Sequence, residues 1–153
     1  MMKNCEDERV IAPMSPERLS AYAELYAGAF SSMPWNEPWT ADSAGKRISA
    51  MMSAPTFMGL ELSVSGELKG FIFGQREYHH SGTEFQIQEF CVTESERGKG
   101  YGKALLEALR GRLAEEGVTG GIYLITGRME DAAGWYAHNG FCEADGFIVM
   151  NDK

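Results

Sequence analysis

No apolar run in the sequence approaches the length of a membrane span, so no segment reads as a transmembrane helix. The opening "MMKNCEDERV" lacks the apolar stretch of a secretory signal, and the expected location is the cytoplasm. Cysteine is scarce. Cys5, Cys91 and Cys142 are odd in number, far apart, and form no CxxC pair. That argues against a disulfide framework or a zinc site and predicts reduced, mostly buried thiols. Positive charge is in deficit, with 14 Lys and Arg against 22 Asp and Glu, a net −8. Non-specific nucleic-acid binding needs a basic surface, so nucleic acid is not an expected partner. The acidity favours a cationic partner only weakly, and solubility explains it as well. Repeats and low-complexity segments are absent too.

What remains is an ordinary globular composition. The chain has 153 residues, 44% hydrophobic and 24% charged, which predicts one domain over 1–153 with a real core. "RVIAP" reads as a first strand. Ser15-Pro16 marks a helix start, and Leu19, Tyr22, Ala23, Tyr26, Ala29 and Phe30 follow at helical spacing. Thr40 can cap a second helix with Ala44, Ile48, Met51 and Met52 on its apolar face, stopped by Pro55. "TFMGLELSV" and "LKGFIFGQREY" read as strands joined at Ser65-Gly66, and "TEFQIQEFCV" as a fourth strand. A long helix carries Leu105, Leu106, Leu109 and Leu113 and closes at Gly117. "GGIYLIT" is a fifth strand and "EDAAGWYAHNG" a short helix. "FCEADGFIVMND" is expected to form a last pair of strands around Asp145-Gly146. The order β-α-α-β-β-β-α-β-α-β-β describes a mixed α/β (α+β) sheet with helices on its faces.

Between the fourth strand and the long helix lies "RGKGYGK", Arg97 to Lys103. Alternate glycines let a ligand approach the backbone, and the helix start turns its N–H groups toward one point. This is an anion site suited to phosphate, with Lys99 and Lys103 adding charge. It is neither a Walker loop nor a dinucleotide fingerprint, because the spacing of Gly98, Gly100 and Gly102 fits neither.

Arg97-x-x-Gly100-x-Gly102 resembles the Q/R-x-x-G-x-G/A signature of the GNAT superfamily of N-acetyltransferases, and it lies at the same place in the element order. "AAGWYAHNGF" is similar to the family's A-x-x-x-Y-x-x-x-G-F segment, with Ala132, Tyr136, Gly140 and Phe141 in register. The resemblance covers nearly the whole chain. It implies an acyl-CoA N-acyltransferase fold with acetyl-CoA between splayed fourth and fifth strands. Backbone groups of Phe90, Cys91 and Val92 would meet the acetyl group and pantetheine. The N–H groups of Gly98, Lys99, Gly100, Tyr101, Gly102 and Lys103 would hold the pyrophosphate. Tyr136 takes the family's general-acid position. One departure is Met129, where many members have an asparagine that contacts the cofactor. Homodimers are common in families of this kind, and a homodimer is among the expected states.

The implied reaction is direct acetyl transfer to an amine, which must first lose a proton to a base. A backbone N–H on the fourth strand is the expected oxyanion donor. Glu89 is the candidate base. Strand alternation places it on one face with Phe85, Ile87 and Cys91, where partial desolvation would raise its pKa. Glu61 and a water relay are rivals. Cys91 lacks a histidine–acid partner pattern and reads as a buried strand residue rather than a nucleophile. His79 and His80 are adjacent and point apart, so they are not expected to chelate one metal, and no metal is expected. His138, near Tyr136, reads equally as a helix-surface residue.

"PWNEPWT" joins the first two helices and holds Trp35 and Trp39 on a proline-stiffened loop. In this family that region covers the acceptor side of the cleft. The tryptophans could wall an apolar or cationic acceptor, with Glu37 pairing its charge, or they could simply pin the loop to the sheet. The first role predicts that Trp35→Ala or Glu37→Gln raises the acceptor KM and spares acetyl-CoA binding. Two function classes follow: an acetyl-CoA-dependent N-acetyltransferase, or a domain that binds acyl-CoA without turnover. Tyr136 in register favours the enzyme. The acceptor stays open among a protein or peptide N-terminus, a polyamine, an aminoglycoside and an amino acid.

Overall fold

In the computed structural model, which describes residues 8–128 and 130–152, the expected hairpins form the centre of the molecule. Strand β1 spans Arg9–Pro13, β2 Phe57–Val64, β3 Glu67–His79 and β4 Gly82–Val92. These four pair antiparallel in chain order. β5, Ile122–Leu124, joins the outer edge of β4 in parallel. Ser65 and Gly66 turn β2 into β3 with φ of 49° and 81°, the left-handed pair that a tight hairpin turn demands.

Helices cover both faces of the sheet. α1 is Leu19–Ser31, preceded by a 3-10 turn at Pro16–Arg18, and α2 is Ala41–Met52. Thr40 and Ser43 close a reciprocal capping box at the start of α2, fixing where that helix begins. The buried side chains of α1 and α2, among them Tyr22, Tyr26, Ala44 and Ile48, pack on Phe71, Phe73 and Cys91. On the other face α3, Tyr101–Glu115, lays Leu105, Leu106, Leu109 and Leu113 over Leu62, Ile72, Phe85 and Ile87. α4 is Asp131–His138. No helix among the described residues is long and apolar enough to cross a membrane.

Two expectations are corrected. The last pair of strands is absent, and the chain after α4 carries no strand among the described residues. The turn at Asp145-Gly146 does close, with Phe147 N–H donating to the Ala144 carbonyl at 3.4 Å. Its flanks do not pair, because β5 ends at Leu124 and offers them only a three-residue edge. Phe147, Ile148, Val149 and Met150 are consequently 67–83% exposed.

The faces of β4 also depart from regular alternation. Glu89 does not share a face with Phe85 and Ile87. The pairing of β3 with β4 shifts between Phe73 and Gly74, so that Glu89 opposes Phe73 while Ile87 opposes Gly74. Gln88 is the extra residue of a β-bulge, which turns the following side chains over. Phe85 and Ile87 face α3, whereas Glu89 and Cys91 face α1 and α2. Gly74 permits the bulge, since a Cβ there would lie 1.8 Å from the Gln86 carbonyl oxygen.

Candidate active site

The bulge brings Glu89 under the two helices that a regular strand would have kept from it. Tyr26 of α1 donates its hydroxyl to Glu89 Oε1 at 3.0 Å, and Arg47 of α2 reaches the same oxygen through Nε at 2.7 Å. The residue is 9% exposed. Burial raises its pKa, and the bonds to Arg47 and Tyr26 offset only part of that rise. Both of these bonds end on Oε1. Among the described residues Oε2 has no hydrogen-bond partner, and it is not a sealed-off atom.

Glu61, the rival carboxylate, is differently held. At 5% exposure it accepts from Arg18 on Oε1 and from the Tyr22 hydroxyl on Oε2. Both oxygens are taken, so it has no lone oxygen facing a cleft.

β4 and β5 pair only from Phe85–Ile122 to Ile87–Leu124. Beyond Ile87 the outer edge of β4, including Phe90, Cys91 and Val92, has no strand beside it among the described residues. α4 stands at this opening. The Tyr136 ring lies 6.3 Å from that of Phe90, and 5.4 Å from those of Trp135 and Phe141. Burial raises the Tyr136 pKa, and the charge of Glu89 pushes it the same way, so the hydroxyl keeps its proton at neutral pH. The Cys91 thiol is pushed well up by burial, with Glu89 adding to it. A thiol held protonated in this way is a poor nucleophile.

The glycine loop begins after a 3-10 turn at Glu94–Glu96. Gly98 and Gly100 have φ of 85° and 83°, and a Cβ on either would meet nothing within 4 Å. The backbone is open to a ligand at both. Ala104 N–H is bonded to the Gly100 carbonyl, so the N–H groups of Tyr101, Gly102 and Lys103 lie in the unpaired first turn of α3. These features fit the pyrophosphate of CoA. Gly102 packs tightly, its missing Cβ 3.4 Å from Trp135, which ties the loop to α4. The Tyr101 side chain is buried in the core beneath Arg9, and only its backbone faces the loop. Lys99 pairs with Glu96 at 2.6 Å, and Lys103 lies 3.9 Å from Glu107.

The two tryptophans of the loop between α1 and α2 already have cationic neighbours. Arg97 lies over Trp35 at 5.1 Å, and Arg47 over Trp39 at 5.9 Å. Trp39 donates Nε1–H to Glu37 Oε2 at 2.5 Å, and Glu37 N–H bonds the Phe30 carbonyl. Both indoles also pack on α1, Trp35 against Phe30 and Trp39 against Tyr26.

Sequence reasoning missed Tyr26 and Arg47. Tyr26 read as one more apolar position of α1. Arg47 flanks Ile48, a charged residue at the border of a buried helical face, which was the available signal. His79 meets Glu77 and Glu84 rather than His80, their ligand-type atoms all within 4.8 Å at the far end of the β3–β4 hairpin. His138 donates its Nδ1–H to the Gly134 carbonyl at 2.8 Å on the surface of α4. Cys5 and Met129 lie outside the described residues. A surface groove of about 630 Å³ runs between α1 and α2, but none of its lining residues belongs to this constellation.

The sequence matches the family model of the acetyltransferase (GNAT) family over residues 19–141. No curated protein matches it in sequence. Several solved structures share the fold. A possible acetyltransferase from Clostridium difficile 630 is 15% identical, with a TM-score of 0.81 over 95% of this chain and 97% of that one. The ribosomal-protein-alanine N-acetyltransferase from Brucella melitensis biovar Abortus 2308 is 20% identical, TM-score 0.73, covering 95% and 99%. The aminoglycoside N-acetyltransferase AAC(6')-Iy, solved with CoA, is 17% identical, TM-score 0.75, covering 99% of each chain.

Proposed function

The chain belongs to the acetyltransferase (GNAT) family, and from that premise we propose that it moves an acetyl group from acetyl-CoA directly to a primary amine of a small molecule or peptide, with Glu89 as general base and Tyr136 as general acid. Acetyl-CoA supplies an activated thioester as the second substrate. The glycine loop from Arg97 to Lys103 binds its pyrophosphate, and the free edge of β4 at Phe90, Cys91 and Val92 takes the pantetheine arm. Glu89 Oε2 accepts a proton from the acceptor ammonium, and the neutral nitrogen becomes the nucleophile. Its bond to the acetyl carbon forms as the carbon–sulfur bond breaks. Tyr136 gives its proton to the departing sulfur and is reprotonated by the second amine proton, so one proton is released per turnover.

The observation that carries this reading is the unpaired Oε2 of Glu89, on a carboxylate whose other oxygen is held by Tyr26 and Arg47. A base needs a fixed position and an unengaged oxygen, and both oxygens of Glu61 already accept a hydrogen bond. Release of CoA thiol over a panel of amines tests the reading. Turnover that falls by about 10²-fold or more in Glu89→Gln supports it. Acetyl-CoA binding without thiol release on any amine would instead make this a non-catalytic acyl-CoA-binding domain.

A further inference from the structure

Arg47 is used only in part by the contacts that hold Glu89. Its Nε–H takes Oε1, and among the described residues neither Nη atom makes a hydrogen bond. The side chain is 40% exposed, half open beside the oxygen of Glu89 that has no partner. A guanidinium with its outer fork free is a receptor for a planar carboxylate, which it can hold through two parallel bonds. Both tryptophans near the cleft carry an arginine, which opposes a polycationic acceptor.

We propose that the acceptor is an α-amino acid, whose carboxylate is taken by the Nη groups of Arg47 while its ammonium meets Oε2 of Glu89. The inference rests on the acetyltransferase reading above. Arg47 and Glu89 present a cation and an anion side by side, and an amine with a carboxylate on its adjacent carbon presents the complementary pair. An amine without that carboxylate leaves the outer fork unmatched and loses the second anchor. Trp39 lies 5.9 Å beneath the guanidinium of Arg47, and Tyr26 shares with it the same oxygen of Glu89.

The experiment measures thiol release by the full chain with matched acceptors: the common α-amino acids, their α-amides, and the corresponding amines that lack the carboxylate. The wild type should prefer at least one amino acid over its amide by about tenfold or more in kcat/KM. Arg47→Gln should lower turnover of acid and amide alike through its hold on Glu89 and, beyond that shared loss, abolish the preference by raising the KM for the acid more than that for the amide. Arg47→Lys, which keeps the charge without the fork, should restore part of it. Wild-type turnover of amides or simple amines as fast as of the acids overturns the proposal, and so does an equal loss on acid and amide in a folded Arg47→Gln variant. Thiol release from no member of the three sets, with acetyl-CoA binding intact by calorimetry, overturns the catalytic reading and this inference with it.

Discussion

Arg97 of the glycine loop lies over Trp35 of the α1–α2 loop, its guanidinium carbon 5.1 Å from the ring centroid. One residue belongs to the proposed pyrophosphate site and the other to the proposed acceptor side, so the two loops touch. Trp35→Ala should therefore weaken acetyl-CoA binding as well as raise the acceptor KM. A cation–π contact at this exposure is worth about 0.5–1 kcal/mol, a two- to fivefold change in Kd. A double-mutant cycle with Arg97→Ala, read by calorimetry, should show coupling of that size. Additive effects would mean the contact does not join the sites.

Glu89→Gln should remove the acid limb of the rate profile. The working form is the carboxylate, and burial raises its pKa, so wild-type activity is lost as pH falls through that raised value. Arg47 pulls the same pKa down, so Arg47→Gln should move the acid limb to higher pH. Profiles of kcat/KM against pH for the three proteins check both shifts.

Tyr136→Phe should lower kcat by about 10²-fold with little effect on folding. Burial keeps the hydroxyl protonated well past neutral pH, so the wild type should show no alkaline limb from this group between neutrality and pH 10. A full rate in Tyr136→Phe, followed by thiol release, removes it from the acid role.

Cys91→Ala should retain turnover. The thiol is buried and its pKa stands well above the ordinary value, so little thiolate exists at neutral pH. Loss of acetyl transfer in a variant that still binds acetyl-CoA would point to a covalent route through sulfur.

Gly74→Ala should destabilise the protein by about 3 kcal/mol or more, because the new methyl has no room beside the Gln86 carbonyl. Thermal unfolding measures the loss. The surviving folded fraction should also show weakened catalysis, since the same bulge aims Glu89.

The order of strands and helices through α4 was legible because the apolar periods and turn residues are strong. Ser65-Gly66, Thr40 and Leu105 to Leu113 each mark their element locally. The facing of Glu89 was not legible, because alternation assumes a regular strand and the bulge depends on a neighbour, Gly74, in another strand. Tyr26 and Arg47 escaped for a related reason: they come to Glu89 from residues far away in sequence, on helices whose periodicity reports burial but not a polar partner. The final strands were expected from β-rich residues such as Phe147 and Val149. Propensity supplies no edge to pair with, and three-residue β5 leaves them exposed.

Tyr22 and Tyr26 stand four residues apart on α1, and each donates its hydroxyl to a buried glutamate, Glu61 on β2 and Glu89 on β4. The helix is thus bolted to the sheet at two points one turn apart, on opposite sides of β3. Rotating or sliding it would strip both bolts together. The alignment of Tyr26 on the proposed base is therefore kept by a fastening outside the cleft. A change at Glu61, which touches nothing in the cleft, should be felt as a shift in the titration of Glu89.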